Sequence, residues 1–142
     1  DSRFYNNGAE SFTFENDTVT ASYTLAAGKA LDDVNGTDEE GVELDPIVVI
    51  SGLKSIEKNQ IKAQAASLLQ STDWYVIRNA ESSTAIPANV STYRTAVRTK
   101  SNEIETSIDG AATVEALEAL FTYTTGADNV SSRPLGEWPI LA

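Results

Sequence analysis

The spacing of apolar residues changes once along this chain, near Gly52, and that change limits the possible folds more than any other feature. Before it, polar and apolar residues alternate. Ser11-Phe-Thr-Phe-Glu15 and Val19-Thr-Ala-Ser-Tyr-Thr-Leu25 both have the period of two expected of a strand. Asn16-Asp17 lies between them and favours a tight turn, so the two runs predict a β-hairpin. After Gly52, Ile61, Ala65, Leu68 and Leu69 fall at i, i+4, i+7 and i+8, one face of a helix that Leu53 and Ile56 can begin.

Charge changes at the same place. Residues 1–52 hold 11 acidic and 2 basic residues, a net −9, whereas residues 53–142 hold 10 and 8, a net −2. The expected organisation is an acidic β-rich arm or adaptor over 1–52, a helical module over 53–121 and a tail over 122–142. The fold class is α+β: a small N-terminal β-hairpin, then a helical hairpin with a third short helix. An isolated hairpin is marginal in water, so this one is expected to pair with other strands or with another chain.

Within the first part, residues 1–10 are read as a polar arm. Asp32 to Asp45 carries seven carboxylates, no basic residue, and Gly36 and Gly41, as a solvated loop does. Ile47-Val-Val-Ile50 is short and β-branched and predicts a buried strand. In the second part, the first helix is expected to end near Asp73. Trp74-Tyr-Val-Ile77 is aromatic and β-branched and reads as extended, followed by a link over 79–88. Asn89 is a candidate cap. Val90, Tyr93, Val97, Ile104 and Ile108 form a near-heptad stripe with Ser101 in its gap. Asp109-Gly110 supplies a stop, and Thr113 can cap a helix whose face is Val114, Leu117, Leu120 and Phe121.

Several function classes are closed. Cysteine and histidine are both absent, which removes disulfides, Cys/His zinc sites, Cys- or His-held haem and histidine-based nucleophilic catalysis. A net charge of −11 argues against nucleic acid and anionic membranes as partners. No apolar run of spanning length occurs, and the polar start Asp1-Ser-Arg-Phe-Tyr-Asn6 lacks a secretory pattern. Asp33, Asn35 and Gly36 fit positions 3, 5 and 6 of a calcium loop, but Leu31 and Val42 fall where ligands are required. Paired carboxylates can hydrolyse glycans, yet no spacing marks a pair among 21 acidic residues. Ser51-x-x-Lys54 and Ser55-x-x-Lys58 lack the companion motifs of Ser-Lys enzymes. Neither a metal, a cofactor nor an enzymatic activity is expected.

Interaction residues are more visible. Trp, Tyr and Arg dominate interface hot spots, which singles out Trp74, Arg78, Tyr93, Arg94, Arg98 and Trp138. Trp74 either fills the gap between two helices or anchors a partner. Arg94 and Arg98, one turn apart, either pair with Glu81, Glu103 or Glu105 or grip an acidic partner. Trp138 either folds back or docks elsewhere.

Their order along the chain adds a further expectation. A helix with Leu68-Leu69, then Asp73-Trp74, a link with Ile86-Pro87 and a helix with Tyr93-Arg94-x-x-x-Arg98 resembles the small module of tail assembly chaperones of tailed bacteriophages. It resembles more closely segments of tail-associated proteins of marine tailed phages. The resemblance is firm over about 62–105, and Trp138-Pro139 is similar to the Trp-Pro that closes many such modules. It implies a virion structural protein of the tail or tail-fibre region, with other tail or fibre proteins or symmetric copies of itself as partners. The alternative it implies is an assembly chaperone confined to the host cytoplasm, and a carboxylate-based glycan hydrolase is more remote.

Overall fold

The computed structural model describes residues 1–6, 8–24 and 27–141. They form two compact units, Asp1–Leu53 and Lys54–Ala142. The fold is α+β, with short antiparallel ribbons first and helices after.

In the first unit, β1 (Glu10–Glu15) pairs with β2 (Thr18–Tyr23) in the register Phe12↔Ala21 and Phe14↔Val19. Asn16 and Asp17 both take positive φ, 49° and 59°, the two-residue turn whose twist suits a hairpin. Leu25, expected to extend the second strand, lies outside the described residues. The alternation holds, but the apolar face is bare: Phe12, Phe14 and Val19 are 64%, 68% and 63% exposed. A second ribbon joins β3 (Val34–Asn35) to β4 (Val49–Ile50). Gly36 continues it, accepting from Leu44 N–H at 3.0 Å and donating to Val48 at 2.7 Å. A side chain at Gly36 would crowd the Val48 carbonyl at 3.1 Å.

Two expectations for this unit are corrected. The run Ile47 to Ile50 is not a buried strand; only Val49 and Ile50 are strand, and all four are exposed. β-branched residues favour extended backbone, but burial needs a covering layer that this ribbon lacks. Nor is the start of the chain a loose polar arm. Phe4 is fully buried, Tyr5 bridges Gly28, and Lys29 N–H donates to the Phe4 carbonyl at 2.9 Å. The unit closes at Gly52, whose N–H donates to Asp33 Oδ1 at 2.8 Å. Any Cβ there would overlap the Asp32 carbonyl, so only glycine fits.

The second unit contains α1 (Leu53–Gln70), α2 (Asp73–Ser82), α3 (Ala88–Asp109) and α4 (Val114–Phe121). A small ribbon of β5 (Thr124–Thr125) and β6 (Ser131–Ser132) follows. α1 and α3 run antiparallel: Lys58 pairs with Asp109 at 2.7 Å and Lys62 with Glu105 at 3.5 Å, while Leu68 and Leu69 meet Tyr93 and Arg94. α3 buries Val90, Tyr93, Val97, Ile104 and Ile108 with Ser101, the stripe read from the sequence, and adds Arg94 to it. The Thr113 side chain accepts from Ala116 N–H and starts α4, and Leu117 is fully buried. Pro87 rather than Asn89 stands at the start of α3, and Gly110 ends it with an ordinary negative φ.

Trp74 to Ile77 is helical, not extended. Asp73 in the first turn of α2 suits the positive end of the helix, and neither Pro nor Gly interrupts residues 73–82. Propensity against helix for these aromatic and β-branched residues amounts to only a few tenths of a kcal/mol each, ~0.5. With no strand beside them to pair with, local hydrogen bonding decides.

Candidate functional site

The residues singled out from the sequence separate into an internal clasp and an exposed shelf. The clasp forms where α1 turns into α2. A helix leaves its last carbonyls without partners, and here α3 supplies them. Tyr93 Oη donates to the Leu68 carbonyl at 3.2 Å, and Arg94 Nη1 donates to the Leu69 carbonyl at 3.0 Å. Arg94 Nη1 also donates to Thr72 Oγ1 at 2.6 Å and lies 2.9 Å from Asp73 Oδ1. Thr72 Oγ1 in turn donates to Leu69 at 2.8 Å, so this hydroxyl both gives and receives. Arg94 and Thr72 are buried. A cation over the last carbonyls of a helix is favourable, and the same cation here neutralises the acid that opens the next helix. Arg94 therefore pairs with Asp73 and not with the glutamates expected from the sequence.

Arg98, the next turn of α3, is exposed. Its guanidinium donates over a long 3.5 Å to the Arg94 carbonyl of its own helix. No carboxylate pairs with it among the described residues. It lines a shallow cleft between α1 and α3 with Lys62, Ala65, Leu69 and Ser101.

Trp138 folds back onto the helices. Its ring packs beside Leu68 and Leu69 against the cluster of Ala65, Tyr93 and Val97, and its Nε1 donates to Gln64 Oε1 at 3.1 Å. Trp138→Ala is expected to lower the stability of this unit by about 2 kcal/mol, since the ring is only part-buried. Thermal unfolding measures the drop; an unchanged midpoint would mean that the tail does not hold the helices. Nearby, Tyr123 Oη donates to Glu137 Oε1 at 2.7 Å, and the Arg133 guanidinium lies 5.1 Å from the Tyr123 ring centre. The hydrogen bond to Glu137 raises the Tyr123 pKa above its ordinary value, with desolvation adding to it and Arg133 opposing it. No sequence pattern marks this group.

The shelf is α2, which buries none of its residues. Trp74 is 49% exposed and Ile77 56%. The Trp74 and Tyr75 ring centres are 3.9 Å apart, and the Arg78 guanidinium carbon lies 4.6 Å from the Trp74 ring centre and 5.4 Å from that of Tyr75. Trp74 therefore does not fill the space between two helices. Residues 74, 77 and 78 share a face through their i, i+3 and i+4 spacing.

No group of three or more acidic residues is placed to hold a metal ion among the described residues. Asp33 accepts from Gly52, and Asn35 donates to Glu43 at 2.7 Å, so two of the calcium-loop candidates are engaged within the fold. Among the described residues, no helix is long and apolar enough to cross a membrane. No family model matches the chain, and no curated protein or solved structure is similar to it.

Proposed function

We propose that this chain is a non-enzymatic interaction module in the tail or tail-fibre region of a tailed bacteriophage, and that it stays in the particle. One observation carries the module reading. Large apolar side chains lie outside the core in both units: Phe12, Phe14 and Val19 on β1–β2, Ile47 to Ile50 near β4, and Trp74 and Ile77 on α2. Large exposed apolar surfaces mark contact sites, and an uncovered two-stranded ribbon is marginal by itself. The phage context rests on the ordered resemblance over 62–105. Partners are then other tail or fibre proteins, or symmetric copies of this chain.

Peptide mass spectrometry on gradient-purified phage particles tests the proposal. The expected result is stoichiometric presence, at a copy number that is a multiple of three or six, as closed symmetric assemblies give. Abundance in infected-cell lysate with absence from particles would overturn the virion reading and favour the transient assembly chaperone.

A further inference from the structure

The β3–β4 ribbon holds aliphatic side chains in the open beside a run of acids. Val34 and Ile50 are partners across the two strands, and Val48 stands two residues before Ile50, so all three share one face of the ribbon. They are 46%, 55% and 50% exposed. Asn35 and its partner Val49 belong to the other face, where Asn35 donates to Glu43 Oε1 at 2.7 Å. Alternation along a strand has therefore gathered the aliphatic groups into a strip, and no layer of the first unit covers it.

Past Gly36 the same two segments close an acidic loop. Asp38 N–H donates to the Val42 carbonyl at 2.9 Å, and Val42 N–H donates to Asp38 Oδ1 at 2.8 Å. Gly41 takes φ 82°, a conformation that favours glycine, and Glu39 and Glu40 stand exposed at the tip. Residues 32–45 hold seven carboxylates and no basic residue. The two cations of residues 1–52 are engaged with the first residues of the chain. Arg3 Nη2 lies 3.0 Å from Asp1 Oδ2, and Lys29 Nζ donates to the Ser2 carbonyl at 2.8 Å.

We propose that this strip docks a basic amphipathic helix of a different protein. The aliphatic stripe of that helix covers Val34, Val48 and Ile50, and lysines or arginines beside the stripe meet Glu39 and Glu40. The exposed side chains stand on the face of the ribbon and not at its edge, so the cover is a layer laid across them, as a helix on a sheet, and not an added strand. Charge selects the partner. A net −9 over residues 1–52, with both cations already engaged, repels an acidic surface and attracts a cationic one. A second copy does not suit, because residues 53–142 are also net negative, with 10 acidic and 8 basic residues. The inference rests on the interaction-module reading and names the chemistry of one partner.

Fluorescence anisotropy tests it, with the whole chain titrated into a dye-labelled helical peptide of leucine and lysine at amphipathic spacing. Binding that weakens as salt rises is expected. Exchanging the lysines of the peptide for glutamates, or its leucines for serines, is expected to weaken binding about tenfold or more in each case. On the protein, Val48→Ser with Ile50→Ser is expected to weaken it about tenfold or more. Glu39→Gln with Glu40→Gln is expected to weaken it about fivefold at low salt and to flatten the salt dependence. Phe12→Ser with Phe14→Ser, on the other ribbon, leaves binding unchanged. Amide NMR shifts that stay in place outside the substituted segment verify that each variant folds. No binding, binding indifferent to the lysines or to the leucines, or equal losses from the two ribbons would overturn the inference. Self-association of the chain that Val48→Ser with Ile50→Ser abolishes would give the strip to a second copy and overturn it as well. A chain found in particles that ignores the peptide overturns only this site. A chain that binds the peptide as described yet is missing from particles overturns only the virion reading.

Discussion

Replacing Arg94 with alanine is expected to destabilise the helical unit by about 3 kcal/mol, the loss of a buried charged donor to two acceptors. The Leu69 carbonyl and Thr72 Oγ1 would each lose that donor, and the arginine stem would leave a void. In a unit of this size the melting temperature would fall by roughly 10–20 °C. Asp73 contributes much less. Its side chain is 52% exposed, so Asp73→Asn is expected to change stability by about 1 kcal/mol or less. Arg94→Lys keeps the charge but not the planar fork that reaches both acceptors, and most of the loss should remain. Urea or thermal unfolding followed by circular dichroism measures all three. Equal stabilities for Arg94→Ala and the unaltered chain would refute the clasp.

The second large effect is expected at Ile108. Its side chain is fully buried near the end of α3. Ile108→Ala removes three carbons from a packed site and is expected to lower stability by about 3–4 kcal/mol, with Ile108→Val near 1. Phe14→Ser deletes a larger apolar group, yet Phe14 is 68% exposed and the expected change is within about 0.5 kcal/mol. The ordering decides between two views of this chain. If Phe14→Ser destabilised the isolated protein as much as Ile108→Ala, the β1–β2 face would already be covered within one copy, and it would need no partner.

How much was legible differs by element, for physical reasons. The α3 stripe could be read because one helix buries one face, and spacing alone defines that face. The Asn16-Asp17 turn and the Thr113 cap were readable because each depends on a few adjacent residues. α2 was not, because Trp74 to Ile77 has the composition of a strand and becomes one only if another strand lies alongside. The clasp was half-visible. Tyr93 and Arg94 were singled out, but their acceptors lie 25 residues earlier in sequence, and a hydrogen bond between two crossing helices leaves no periodic trace. Arg94 was expected to seek an acid, on its own solvated face or on a partner, because charge usually does. Burying it became favourable only because the end of α1 presents carbonyls that need a donor. Ile47 to Ile50 misled in the opposite sense: hydrophobicity reports what a segment would gain from cover, not whether this chain provides it.

The β1–β2 ribbon has one more consequence, for how copies avoid sticking to one another. Six-residue strands of alternating polarity with free edges are the raw material of cross-β stacking. Here Glu10 and Glu15 close both ends of β1, and Asp17 sits in the turn. Stacking a second ribbon in register would set each of these carboxylates against its own counterpart two strand spacings away, about 9.6 Å. The two strands can thus stay unsheathed without recruiting their own kind edge to edge. Only surfaces that bring compensating positive charge, or that approach the aromatic face and leave the acidic ends in water, can settle on them.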